Sequence, residues 1–245
     1  MDVLVSIITV VYNGASTIEQ TILSVLNQTY KNIEYLIIDG GSTDGTLDII
    51  KKYDKQISLW ISEPDNGLYD AMNKGVERAT GEIIGMVNSD DWYELNAVEL
   101  IIDAYRKNPE KKIFHGDRYD VLKDGSKKIR RFNTSTFKFI FYGMTYNHPS
   151  MFVHIDIYKM IKYDTSLKSL SDYEFVLIVY LKSRDAFYYV PKPYVNYRLD
   201  GISANIKFWE SMKEGYLARR NANLPIVVNF CSYLVRLLVK SFSKI

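Results

Sequence analysis

Residues 3–11 read Val-Leu-Val-Ser-Ile-Ile-Thr-Val-Val, a nearly continuous β-branched run. Successive side chains of a strand point to opposite sides of its sheet, so a strand that is apolar at consecutive positions must be covered on both faces. The chain supplies the cover. Ser16 stands three residues before Glu19, a capping-box spacing, and opens a helical pattern carrying Ile18, Ile22, Val25 and Leu26. Residues 33–38 form a second buried strand that ends at Asp39, and Leu47, Ile49 and Ile50 mark the next helix. Strand, helix and strand follow at 57–61, 69–79 and 83–87. This alternation with short loops predicts a Rossmann-like α/β fold, a mainly parallel sheet flanked by helices.

Beyond Phe114 the rhythm changes. Residues 118–132 read as an antiparallel hairpin about Asp124-Gly125. Aromatics are dense over 137–152, a helix is expected at 171–181, and 188–197 is extended but interrupted by Pro191 and Pro193. The expected organisation is one unit over 1–224, an α/β half at 1–115 and a smaller antiparallel or irregular half at 116–224. A C-terminal amphipathic helix follows at 225–245. On that helix Asn229, Ser232, Arg236, Lys240 and Ser243 or Lys244 share a face, while Val227, Val228, Phe230, Cys231, Leu234, Val235, Leu238 and Phe242 crowd the rest. Packing on the domain, a second subunit in a homodimer, and contact with a membrane surface all fit such a helix.

A net charge of +2 gives no reason to expect nucleic acid, and Lys127, Lys128, Arg130 and Arg131 read as a solvated hairpin. Cys231 is the only cysteine, so disulfides and thiolate zinc sites are excluded and a cytoplasmic setting is expected. No signal-peptide pattern opens the sequence, and no apolar stretch is long enough to span a bilayer.

In an open α/β sheet ligands bind beyond the carboxyl ends of the strands. Four polar groups fall there. Tyr12-Asn13-Gly14 follows the first strand; it is a turn, and its tyrosine can lie flat on a nucleobase. Asp39 closes the second strand before Gly40-Gly41-Ser42-Thr43-Asp44-Gly45-Thr46. Its carboxylate can accept from a base N–H or a ribose hydroxyl, while Ser42 or Thr43 caps the next helix. After the third strand, Glu63 to Gly75 holds Asp65, Asp70, Asn73 and Lys74, the last three at neighbouring helical positions where they can face one ligand. Asn88-Ser89-Asp90-Asp91 follows the fourth strand. Adjacent carboxylates at a strand tip repel unless a cation or donors stand nearby, and hard oxygens suit Mg²⁺ or Mn²⁺; a helix start is the plainer alternative. No GxGxxG follows the first strand, which removes a NAD-dependent oxidoreductase.

The series Ser6 to Asn13, Asp39 to Thr46 and Asn88 to Asp91 resembles family 2 glycosyltransferases of the GT-A fold. Ser62 to Gly75 looks like the subgroup that builds bacterial exopolysaccharide, capsule or lipopolysaccharide. The resemblance implies transfer of a sugar from a nucleotide-diphosphate sugar, a UDP-sugar foremost, to a glycan or lipid-linked acceptor. It places Thr9, Tyr12 and Asp39 on the nucleoside and Asp65 near the base or ribose. The family's Asp-x-Asp motif falls on Asn88-Ser89-Asp90, making Asp90 the metal ligand with Asp91 as helper. Asn88 departs from the motif, and its amide can still bond a ribose hydroxyl. His148 to Phe152 looks like the strand lining the acceptor side, Asp172 like the general base, and Arg198, in a late loop running on to Ser203, like a diphosphate clamp. A binding module of the same fold without turnover is the alternative, and Asn88 is its support.

Overall fold

A computed structural model describes residues 2–199 and 207–242. Asp200, Gly201, Ile202 and Ser203 of the late loop, and Ser243 and Lys244 of the last helix, lie outside the described residues.

The first half forms the alternating pattern: β1 (Val5–Val11), α1 (Ile18–Leu26), β2 (Ile33–Asp39), α2 (Thr46–Lys52), β3 (Leu59–Ser62), α3 (Leu68–Arg78) and β4 (Ile83–Met86). β1 pairs in parallel with β2 and β4, and β2 with β3. The β-branched run at the start is divided between two cores. Ile7 and Val11 of β1 join Ile18, Ile22 and Val25 of α1 on one face, whereas Ile8 and Val10 join Met72 of α3 and Val176 further along on the other. Burial on both faces is why the run shows no alternation.

Two helix starts differ from expectation. Thr17, not Ser16, is the residue before α1, no side chain caps it, and Glu19 instead accepts from the Tyr53 hydroxyl at 2.9 Å. At α2 the preceding residue is Gly45, with φ +97°, and neither Ser42 nor Thr43 caps the helix. Those hydroxyl and amide groups are drawn across to the neighbouring loop.

The second half extends the same sheet. It comprises β5 (Trp92–Tyr93), α4 (Ala97–Lys107), β6 (Ile113–Val121), β7 (Lys127–Arg130), β8 (Phe152–His154), α5 (Ile155–Met160), α6 (Ser171–Lys182), β9 (Phe187–Arg198), α7 (Phe208–Asn221) and α8 (Ile226–Phe242). Nine strands take the order β3-β2-β1-β4-β8-β6-β9-β5, with β7 paired to β6 as the expected hairpin. β8 runs antiparallel beside β4, and β6 and β9 are parallel with register shifts around Gly116 and Asp117, opposite the two prolines that cannot donate to the ladder.

α8 is amphipathic as expected, but it is the polar stripe that faces the protein. Asn229 and Ser232 are buried, Arg236 bonds Ser211 of α7, and Ile226, Val227, Phe230, Leu234 and Leu238 are exposed. Among the described residues no helix is long and apolar enough to cross a membrane.

Candidate functional site

The ends of β1, β2 and β4 lie side by side, with Val11 in register with Asp39 and Ile8 with Met86. Asp39 is completely buried there. Its Oδ2 accepts from the backbone N–H of Gly41 and Ser42 and from the Ser62 hydroxyl, at 3.0, 2.9 and 2.6 Å. Its Oδ1 has no partner. A buried carboxylate oxygen without a donor is costly, which sets this atom apart from the well-bonded Oδ2. Gly40 permits close packing: a Cβ there would stand 2.4 Å from Asp65 Oδ2 and 3.4 Å from the Tyr12 ring. Tyr12, 61% exposed, and Asp65 thus pack against buried backbone beside the Asp39 corner. Thr9 is not part of this face. It is fully buried, and its hydroxyl pairs with Tyr35 at 3.0 Å.

The polar residues between Asn13 and Thr46 hold two loops together. Asn13, with φ 52°, accepts from Thr43 N–H and donates its own N–H to Ser42 Oγ. Gly14 N–H donates to Thr46 Oγ1 and Ala15 N–H to Asp44. This latch fixes Tyr12 against Gly40. The 63–74 segment is pinned in the same way. Asp65 accepts from Gly67 N–H, and Lys74 is held by Glu63 at 3.0 Å, Asp70 at 3.5 Å and the Pro64 carbonyl. Asn73 exchanges two hydrogen bonds with the Tyr163 backbone, at 2.9 and 3.0 Å. Lys74 and Asn73, expected to reach the ligand, therefore have partners within the protein; their helical spacing placed them on a shared face without saying what stands opposite.

At the tip after β4 the two adjacent aspartates separate. Asp91 is buried, accepts from Arg198 N–H at 3.1 Å and lies 3.4 Å from the Asn88 amide. Burial, then the charge of Asp90, pushes its carboxyl well above the usual range. Asp90 is half-exposed, and its carbonyl accepts from Arg198 Nε at 2.9 Å. Arg198 also lies over Trp92, 4.8 Å from the ring centroid. Thr21 ties the loop down by donating to the Asp91 carbonyl at 2.7 Å. Its signal was present in the sequence, as a hydroxyl between Ile18 and Ile22 on the apolar face of α1.

Asp172 stands half-buried in the first turn of α6. Its Oδ1 accepts from Tyr173 N–H at 2.7 Å and from the Tyr69 hydroxyl at 3.2 Å. Tyr69 stacks on Tyr163, whose hydroxyl is 3.0 Å from His148 Nε2. Burial lowers the His148 pKa, partly opposed by Asp172. His148 therefore reaches the carboxylate through a tyrosine floor. Tyr69 was missed because its position next to the Asp70 cluster drew attention to charge, and its partner lies 103 residues away.

Comparisons with known proteins place the family and the fold. The profile of glycosyl transferase family 2 matches residues 6–165. The chondroitin synthase of Pasteurella multocida is 30% identical over 225 residues, covering 90% of this chain and 23% of that protein. The chain thus spans about a quarter of the length of that curated relative. Among solved structures, S. aureus TarS 1–349 in complex with UDP-GlcNAc superposes with a TM-score of 0.72 at 19% identity, covering 96% of this chain and 71% of that one. The mannosyltransferase PcManGT of Pyrobaculum calidifontis, in complex with GDP-Man and Mn²⁺, gives 0.63 at 14%, covering 97% and 70%. The chain belongs to glycosyl transferase family 2 and has the GT-A fold.

Proposed function

From this family membership, we propose that the chain transfers a sugar, with inversion, from a nucleotide-diphosphate sugar to a glycan or lipid-linked acceptor in cell-surface polysaccharide synthesis. A UDP-sugar is the first donor to test. The observation that carries the reading is the unpartnered, buried Oδ1 of Asp39, beside Gly40, on which Tyr12 and Asp65 pack. A nucleobase satisfies both features: its edge N–H bonds Asp39 and its face lies on Tyr12. The relatives and neighbours that handle chondroitin, UDP-GlcNAc and GDP-Man support a sugar nucleotide as the ligand.

In this reading residues 1–115 hold the donor, 116–224 the acceptor, and 225–245 form an appended helix. Among the described residues no three His, Cys, Asp or Glu side chains cluster as a metal site. Asp90 and Asp91 still fit Mg²⁺ or Mn²⁺, because such ions take one or two carboxylates and complete their shell with phosphate oxygens and water. Bound there, the ion supplies positive charge for the departing diphosphate. Arg198, fixed at the same tip through Asp90 and Asp91, adds a guanidinium to that end of the pocket. Asp172 accepts the proton of the acceptor hydroxyl as that oxygen bonds to the anomeric carbon and the bond to the diphosphate breaks. A single base opposite the leaving group gives inversion. Tyr69 holds the carboxylate in place. The exposed apolar side of α8 suits the cytoplasmic surface of a membrane, where a lipid-linked acceptor would lie, and equally the interface of a homodimer.

The test is a thermal-shift screen of UDP, GDP, dTDP and CMP with and without Mn²⁺, since a ligand bound only by the native state raises Tm by mass action. One nucleotide should stabilise the protein in a metal-dependent way, and Asp90→Ala should remove the metal dependence. No shift with any nucleotide would sink the donor site and favour a glycan-binding module without turnover, the alternative that Asn88 supports.

A further inference from the structure

The seam between α7 and α8 holds two guanidinium groups, Arg219 buried and Arg236 half-buried, without a carboxylate for either. Arg219 is 2% exposed. It donates to the carbonyls of Ile140 and Gly215 and to the Ser232 hydroxyl, and lies 5.7 Å from the Tyr173 ring centroid. Arg236 donates to the carbonyl and hydroxyl of Ser211, at 3.1 and 2.7 Å. All of these acceptors are neutral, and neither arginine forms an ion pair among the described residues. The nearby buried carboxylate, Glu174, accepts from Asn221 instead. Burial lowers the pKa of both arginines, and Arg219 lowers that of Arg236 further. Gly215 makes the crowding feasible, since a Cβ there would stand 2.7 Å from Arg236 Nη1 and 3.0 Å from Arg219 Nη1. A glycine inside a helix is less favourable than alanine, so the position yields helix stability to admit two cations.

Between these groups lies a cavity of ≈ 30 Å³, lined by Arg219, Arg236, Ser232 and Asn229, with the exposed Tyr216 and Tyr233 at its rim. One water needs about 10–15 Å³ on this scale, so the space takes a larger group. Asn229 is 6% exposed and its Oδ1 has no hydrogen-bond partner. Rotating that amide by half a turn presents Nδ2 in the same place, which converts an orphan acceptor into a donor. The Ser232 hydroxyl donates to the Phe141 carbonyl at 2.6 Å, so the groups left to face an oxyanion are two forked cations and an amide around one cavity. We propose that this cavity binds a phosphate group, as a soluble phosphate ester or as the headgroup of a lipid. The site is built from α7 and α8, apart from the strand ends that form the donor pocket, and does not depend on the reading given to that pocket. The exposed apolar side of α8 adjoins it, which is where a lipid phosphate would arrive.

The test uses the full chain in EDTA, comparing inorganic phosphate with chloride at matched ionic strength by thermal shift. A second arm measures flotation with phosphatidylcholine vesicles with and without phosphatidic acid. Two variants accompany the wild type: Arg236→Gln, and Asn229→Leu, which fills the cavity while leaving the protein bonds of both arginines intact and so keeps the test decisive if Arg236→Gln does not fold. Phosphate should raise the wild-type Tm by several degrees, and Asn229→Leu should abolish the shift. Flotation that rises with phosphatidic acid and loses that rise in Asn229→Leu identifies a headgroup, whereas a phosphate shift alone identifies a soluble ester. A wild type indifferent to phosphate and to phosphatidic acid, or an Asn229→Leu protein that responds like wild type, overturns the proposal.

Discussion

The strand-end pocket and the α7–α8 seam each bury charge that the protein does not match with an opposite charge, and the two carry opposite signs. In the pocket, Asp39 and Asp91 are held by backbone N–H groups and a serine hydroxyl. In the seam, Arg219 and Arg236 are held by backbone carbonyls and serine hydroxyls. Neutral dipoles satisfy part of each charge and leave a remainder: the buried, unpartnered Asp39 Oδ1 in one region, the cavity beside Asn229 in the other. Desolvated charge without a counter-charge is expensive, so neither region reads as a device for stability. The local frameworks differ as well. The pocket is locked by loop-to-loop bonds such as Asn13 with Thr43, whereas the seam depends on two helices staying in register.

That contrast can be broken in three ways. The largest effect belongs to the pocket. Asp172→Asn should lower transfer by roughly 10²- to 10⁴-fold, the usual contribution of a positioned base, with the nucleotide-induced Tm shift retained. Steady-state assay beside thermal shift checks both, and a loss under tenfold would place the base elsewhere. The second concerns Glu174, which borders the seam and is raised to about 7 by burial, with Asp164 adding to the shift. Its folded pKa lies above the unfolded value of 4.5, so its stabilising contribution is present below pH 4.5 and is lost as pH rises through 7. Glu174→Gln should therefore add about 3 kcal/mol at pH 8 and almost nothing at pH 4.5, read by denaturant titration. A stability loss at pH 8 would mean that Glu174 pairs with the arginines and that the seam is charge-balanced after all. The smallest effect is expected on the outer side of α8. Phe230 is 63% exposed, so Phe230→Ser should change folding stability by no more than about 0.5 kcal/mol. A loss of several kcal/mol would mean that this side packs on the fold or on a second copy.

Much of the first half was legible in the sequence because its signals are local. Hydrophobic runs, turn residues and helical spacing located β1, β2, β4, α3 and α6 within a few residues, and with them the polar loops at the strand ends. The family resemblance added roles for Asp90, Asp172 and Arg198, and the structure brings Arg198 and Asp90 together at one tip. Where spacing was asked to say what a side chain touches, it gave less. Asn73 and Lys74 share a helix with Asp70, yet they fasten Tyr163 and the Glu63 loop. The second half was harder to place because β8 joins β4 and β9 joins β6 across long stretches of chain.

The sequence by itself determined the strands and helices up to β4, together with α6, which loops are polar, and that the last helix has two unlike sides, because each of these depends on neighbours a few residues apart. The tertiary structure alone decided which of Asp90 and Asp91 is buried, that Tyr69 meets Asp172, and that α8 turns its polar stripe inward onto Arg219 and Ser211. Periodicity along a chain fixes which residues share a face; what that face meets is set by contacts between distant segments, and those contacts exist only once the whole fold is closed.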